Sequence, residues 1–198
     1  MSPCWAGVDV GAKKGFDVAL IDERRLVAAP GRVANAAMVV KLLTNERARV
    51  VAVDSPRTPA PDGRLSRAEE ADLVRAVCGI RYTPNMAELR ANPDYYGWIL
   101  NGFRLYAALD RAAANTRWKT IECFPTATWT RLGNRRQGSR ARWSDRVLRG
   151  LGIEGLPPRM NQDARDAIGA AHTAFLFDAK PRSCETFGDI VVPRGPSA

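Results

Sequence analysis

At 198 residues, with 45% apolar and 26% charged side chains, the chain matches the size of one globular domain and carries enough apolar material for a core. Lys and Arg outnumber Asp and Glu by 30 to 21, giving a formal net charge of +9 and a pI of about 9.9. The chain lacks any apolar run of about 18 uncharged residues, which excludes a membrane-spanning helix, and its start, MSPCWAGVDVGAKK, has neither the basic lead nor the long apolar stretch of a secretory signal.

These features set the expectation of a cytoplasmic protein that begins at Met1 and has no membrane partner. Arginine supplies 25 of the 30 basic residues. Guanidinium groups grip phosphate through paired hydrogen bonds, so the bias favours a polyanion such as nucleic acid, although an Ala- and Arg-rich composition has the same appearance. The four cysteines are scattered without a CxxC pair, and the chain has one histidine. Zinc, a disulfide framework and histidine-based catalysis are therefore disfavoured.

In chain order, Trp5 to Val10 reads as a strand, followed by a second at Gly15 to Asp22 and a short third at Arg25 to Ala28. Together they form an antiparallel meander. Residues Val33 to Arg47 carry apolar side chains at helical spacing. Arg49 to Val53 is a β-branched run suited to a strand buried on both faces, closed by Asp54-Ser55-Pro56. After a loop at Arg57 to Gly63, Ser66 and Glu69 form a capping box for a helix to about Val77.

Gly79 to Asp94 reads as irregular, and Tyr95 to Ala114 as a long helix. Lys119 to Phe124 is another buried strand. Short helices follow near Thr126 to Leu132 and Arg140 to Leu151, then an Ala-dense helix from Asp163 to Asp178. Asp189 to Pro193 reads as a final edge strand. This order implies an α/β fold with a mixed sheet, three antiparallel strands first and parallel strands after, flanked by helices. It fits one domain over residues 1–198 with a helical insertion around 57–117. No GxGxxG follows the first strand, which argues against a dinucleotide-binding fold.

Several acids stand in costly places. Asp9 interrupts the apolar run GVDVG, Asp54 ends RVVAVD, and Asp163 and Asp166 share one face of a helix start in NQDARDAIGAA. Glu122 falls at a buried strand end in KTIECFP. A buried carboxylate is expensive unless paired or metal-bound. Each has a structural alternative: Asp9 and Asp54 as turn formers, Asp163 as an N-cap or dipole-stabilising residue, and Asp166, one turn deeper beside Ala167, Ala170 and Ala171, and Glu122 in structural roles. Taken together they suggest convergence on divalent metal, Mg²⁺ or Mn²⁺, which takes hard oxygen ligands and needs no histidine. Two such ions about 4 Å apart support in-line phosphoryl displacement.

At this level of detail the chain resembles the predicted-nuclease family called domain of unknown function 429, which is similar to the ribonuclease H-like superfamily. The resemblance rests on GVDVGAKKGFDVALID, VAVDSPRTPAPDGRLSRAEEADLVRAVCGIR, IECFPTATW, NQDARDAIGAAHTAF and GDIVVPR, in order across roughly residues 5 to 194. It implies a ribonuclease H-like mixed sheet and a metal-dependent nuclease. By that resemblance Asp9 is the first-strand carboxylate bridging two metals, and Asp54 is the acid closing the fourth strand, as in the Holliday-junction resolvase branch. Asp163 and Asp166 are that branch's pair on the last helix, and Glu122 is the family's strand-end glutamate. Arg64, Arg67 and Arg75 match a basic helix start that orients phosphate. Phe16 stands where the family often has Trp.

Further phosphate contacts are expected from Lys13, Lys14 and Arg57, and from Arg135, Arg136 and Arg140 in a segment from Arg131 to Arg149. That segment holds seven arginines and one acid, Asp145. Trp129 and Trp143 beside it suit either base stacking or docking on the core. The main expectation is a nucleic-acid phosphodiesterase with a two-metal carboxylate mechanism, its catalytic set being Asp9, Asp54, Asp163, Asp166 and Glu122. The alternatives are a nucleic-acid-binding module without catalysis, and a relative of the actin-like ATPases, whose first phosphate loop is similar to GVDVGAKKG.

Overall fold

Alternation in the first strand sets the architecture. In β1 (Cys4–Val10), Cys4, Ala6, Val8 and Val10 join one apolar cluster, while Trp5 joins another on the opposite side. A strand covered on both faces belongs inside a sheet. The structure, a computed structural model, describes residues 3–133 and 136–195.

Gly15, at φ 80°, makes the turn into β2 (Phe16–Ile21), a conformation that a side chain would strain. β3 (Leu26–Val33) follows, then α1 (Ala36–Asn45) and β4 (Ala48–Asp54). Three helices connect β4 to the next strand: α2 (Ala68–Ala76), α3 (Met86–Ala91) and α4 (Gly97–Thr116). After β5 (Lys119–Cys123) come α5 (Pro125–Gly133), α6 (Arg140–Gly150) and α7 (Gln162–Ala179). The described chain closes with β6 (Cys184–Phe187) and β7 (Ile190–Pro193).

The strands form one seven-stranded sheet in the order β3-β2-β1-β4-β5-β7-β6. Pairing is antiparallel from β3 to β1, parallel across β1, β4, β5 and β7, and antiparallel again at β6. This is the mixed sheet with an antiparallel start that the sequence implies. α1 and α4 cover one face, and α7 with α5 and α6 covers the other.

α7 lies unusually close to β1. A Cβ on Gly7 would stand 2.0 Å from the Ala167 carbonyl oxygen and 2.2 Å from the Ala171 nitrogen. Ala167, Ala170, Ala171 and Ala174, all fully buried, let the helix backbone reach that distance.

Some boundaries differ from the sequence expectation. β3 runs on to Val33, past Ala28, because a register shift against β2 takes up Ala29 and Pro30 before Gly31 pairs with Val18. α2 starts one residue later than Ser66 implies. Its N-cap is Arg67, whose N–H donates to the Glu70 carboxylate at 3.1 Å, so Glu70 takes the part expected of Glu69. The stretch read as irregular contains α3, capped by Asn85. β7 is not an edge strand, since it pairs with both β5 and β6. β6, only four residues long, was too short for a readable alternation. Among the described residues no helix is long and apolar enough to cross a membrane.

Candidate metal centre

Strand register builds the site. Asp9 at the end of β1 is the direct partner of Asp17 in antiparallel β2 and of Asp54 in parallel β4. Direct partners project to the same face of a sheet. Here it is the face that α7 covers, and α7 brings Asp163 and Asp166 over it from its first turns.

Two groups result, with Asp9 common to both. Carboxylate oxygens of Asp9, Asp54 and Asp166 lie within 4.8 Å of one another, and so do those of Asp9, Asp17 and Asp163. Both groups open on a cleft of about 650 Å³ that Lys13, Lys14, Arg81 and Arg140 also line.

The acids are held in an electrostatically costly state. The Asp9 carboxyl is pushed up from 3.8 to about 7, first by burial and then by repulsion from Asp166, Asp163 and Asp17. Asp54 is raised well above the ordinary carboxylate range by burial and by Asp9. Burial also raises Asp166, outweighing the opposing pull of Arg140. Asp166 is held from three sides: Trp129 Nε1 and Gln162 Nε2 each donate to Oδ1 at 2.9 Å, and Arg140 Nη2 to Oδ2 at 2.8 Å. In the second group, Arg32 donates to Asp17 Oδ2 from Nε at 3.1 Å and Nη2 at 2.8 Å, and to Asp163 Oδ2 at 3.2 Å.

A set of converging hard oxygen donors, mutually repelling and reluctant to ionise, fits a divalent cation such as Mg²⁺ or Mn²⁺. In Asp9 and Asp54 the observation is specific, because they face each other without a cationic side chain hydrogen-bonded to either among the described residues.

No protein-family model matches the chain, and no curated protein matches it in sequence. Solved structures do. The chain is similar to the Thermus thermophilus RuvC structure at 17% identity and a TM-score of 0.50, over 87% of this chain and 94% of that one. It is similar to T. thermophilus RuvC in complex with a Holliday junction substrate at 16% identity and a TM-score of 0.50, over 85% and 90%. The fold is ribonuclease H-like.

Within this ribonuclease H-like sheet, Glu122 stands apart from the aspartates for a reason of parity. It pairs with Val53, one residue short of Asp54, and therefore projects to the other face. There it accepts from the Arg57 N–H at 2.8 Å and from Arg67 Nη1 at 2.9 Å. Arg67 is 2% exposed and also donates to Glu70. Its guanidinium is consumed by this buried network, out of reach of a phosphate at the surface. Glu122 itself is raised by burial against the opposing pull of Arg67.

The other basic residues expected to meet phosphate are dispersed. Lys13 and Lys14 lie exposed in the β1–β2 loop at the cleft, Lys13 3.6 Å from Asp94. Arg140 reaches the cleft through Asp166. Arg57 is held by Asp110 and Thr120, and lies 4.9 Å over the Tyr106 ring. Exposed Arg75 pairs with Asp72, and Arg64 and Arg136 are exposed away from the aspartates. Arg135 lies outside the described residues. Trp129 and Trp143 are both buried, which settles their role as core docking and leaves neither ring for base stacking.

Asp17, Arg32 and Arg81 were missed in the sequence. Asp17 had a readable signal, an acid inside the apolar run GFDVALID like Asp9 in GVDVG. Arg32 and Arg81 had none, because each sits in a segment without clear periodicity.

Proposed function

We propose that this protein is a phosphodiesterase that cleaves nucleic acid with Mg²⁺ or Mn²⁺ held by Asp9, Asp54 and Asp166. The observation that carries the reading is the convergence of those three carboxylates within 4.8 Å of one another, on a fold shared with a protein that has been solved with a Holliday junction substrate. A divalent ion held there would supply Lewis-acid polarisation of a phosphoryl oxygen and would make a bound water more acidic and so easier to activate for attack.

The chain's own residues do the rest. Asp9, at the junction of both acidic groups, fixes their spacing. Trp129, Gln162 and Arg140 orient Asp166, as outer partners of a ligand do. Lys13, Lys14, Arg81 and Arg140 line the cleft with positive charge, which draws in a phosphodiester and offsets the acids around it. Glu122 takes a positioning role in this reading. Through the Arg57 N–H it ties the loop after β4 to β5, and so holds the end of the strand that bears Asp54. The wider placement in the domain of unknown function 429 family belongs with this proposal.

The test is cleavage of labelled single-stranded, duplex and four-way-junction DNA and RNA by the purified chain. Cleavage that needs Mg²⁺ or Mn²⁺, stops in chelator and disappears in Asp9→Asn with the fold intact is the expected result. Cleavage surviving that substitution sinks the assignment. Salt-sensitive binding indifferent to metal, with no cleavage, would instead favour a binding module.

A further inference from the structure

The second acidic group already has its cation. Arg32 of β3 is the direct register partner of Asp17 in β2, which partners Asp9, which partners Asp54. Arg32, Asp17, Asp9 and Asp54 thus form one row across four adjacent strands, all on the same face. The backbone ladder sets the Arg32 Cα opposite Asp17, and its side chain reaches both carboxylates from there.

Once there, Arg32 bridges two different elements. Its contacts at 2.8 and 3.1 Å go to Asp17, which is 8% exposed, and that at 3.2 Å goes to Asp163 on α7. Both donors to Asp17 converge on one oxygen, Oδ2, so the Arg32 charge sits against that carboxylate while the side chain stays 42% exposed. The first group differs. Arg140, reaching in from α6, touches only Asp166, and the facing pair Asp9 and Asp54 keeps its mutual repulsion.

We infer that Arg32 is the resident cation of the Asp9–Asp17–Asp163 group, so that the chain holds one tightly bound divalent ion, at Asp9, Asp54 and Asp166, in place of two. The inference rests on the metal-dependent reading above and specifies it. Arg32 acts as a positioning residue, neutralising Asp17 and Asp163 and tying the start of α7 to the sheet edge. Asp163 then belongs with the structural acids.

Counting ions tests this. The full chain, stripped with chelator, is titrated with Mn²⁺ while free Mn²⁺ is read by electron paramagnetic resonance. Wild type should bind one ion per chain, and Arg32→Gln should bind a second, weaker one. A folded Asp163→Asn, at a position 38% exposed, should keep the single ion within roughly threefold of its affinity, whereas Asp54→Asn should lose tenfold or more. Two ions in wild type, no second ion in a folded Arg32→Gln, or a tenfold loss in Asp163→Asn overturns the inference and leaves the metal reading standing. No ion in wild type or in any variant overturns the metal reading itself.

Discussion

Asp9 and Asp54 end neighbouring parallel strands as direct register partners, so two carboxylates meet side by side with no cationic side chain hydrogen-bonded to either among the described residues. The sheet holds them there whether or not they are compensated. That makes the pair a source of instability in the bare protein, and under the proposed reading a source of affinity for a cation.

Stability in chelator should therefore depend on pH in a defined direction. Asp9 is raised from 3.8 to about 7, and Asp54 is also raised, by burial and by Asp9. A carboxyl whose folded pKa lies above its unfolded one stabilises below the unfolded value and loses that contribution as pH rises through the folded value. Melting temperature without metal should fall between about pH 4 and 7 and beyond. Asp54→Asn should flatten the fall and melt above wild type at pH 8, and Mn²⁺ should reverse that order. Differential scanning calorimetry across pH with and without Mn²⁺ reads it; a wild-type melting temperature that climbs over this range contradicts the electrostatic account.

Trp129 carries a prediction about orientation. Its Nε1 donates to Asp166 from a fully buried ring. Trp129→Phe keeps most of the packing and removes the donor, so Mn²⁺ affinity should drop roughly 10-fold, the scale of an outer-shell loss. Calorimetric titration that finds unchanged affinity would show that Gln162 and Arg140 suffice.

Gly7 should tolerate no side chain. A Cβ there meets backbone atoms of α7 at 2.0 and 2.2 Å, and backbone cannot rotate away. Gly7→Ala should cost about 3 kcal/mol or more in urea unfolding, at the upper end of overpacking effects. Because the displaced helix bears Asp166, metal affinity should weaken with it.

The Arg67 network sets Glu122 apart from the aspartate groups. Arg67→Met leaves Glu70 and Glu122 buried without their cation and should cost about 3–5 kcal/mol. Glu122→Gln should cost less, about 1–3 kcal/mol, and leave Mn²⁺ affinity intact. A collapse of metal binding in a folded Glu122→Gln would place that carboxylate among the ligands after all.

Lys14 tests the cleft as a phosphate path. Lys14→Ala should weaken nucleic-acid binding across sequences and lower the slope of log affinity against log salt by about one. An unchanged slope would move the nucleic-acid path elsewhere, with the exposed Arg142 and Arg146 of α6 the next to substitute.

Much of this was written locally. Alternation in GVDVG and the β-branched run before Asp54 mark two central strands and the acids that end them, since apolar side chains on both faces define a buried strand. The Ala-dense stretch after Asp163 announces a helix able to approach closely, and the order of elements implies a mixed sheet. What was not legible is parity and partnership. Glu122 looks like Asp54 in sequence, an acid closing a buried strand, yet one residue of register turns it to the opposite face. Asp163 and Asp166 look like a pair, yet each joins a different group. Arg67 looks like a surface arginine at a helix start and is buried. Which side chains are costly to bury follows from charge and alternation, which are properties of the chain. Which of them meet follows from register across four strands and the approach of α7, set by long-range pairing that no local pattern encodes.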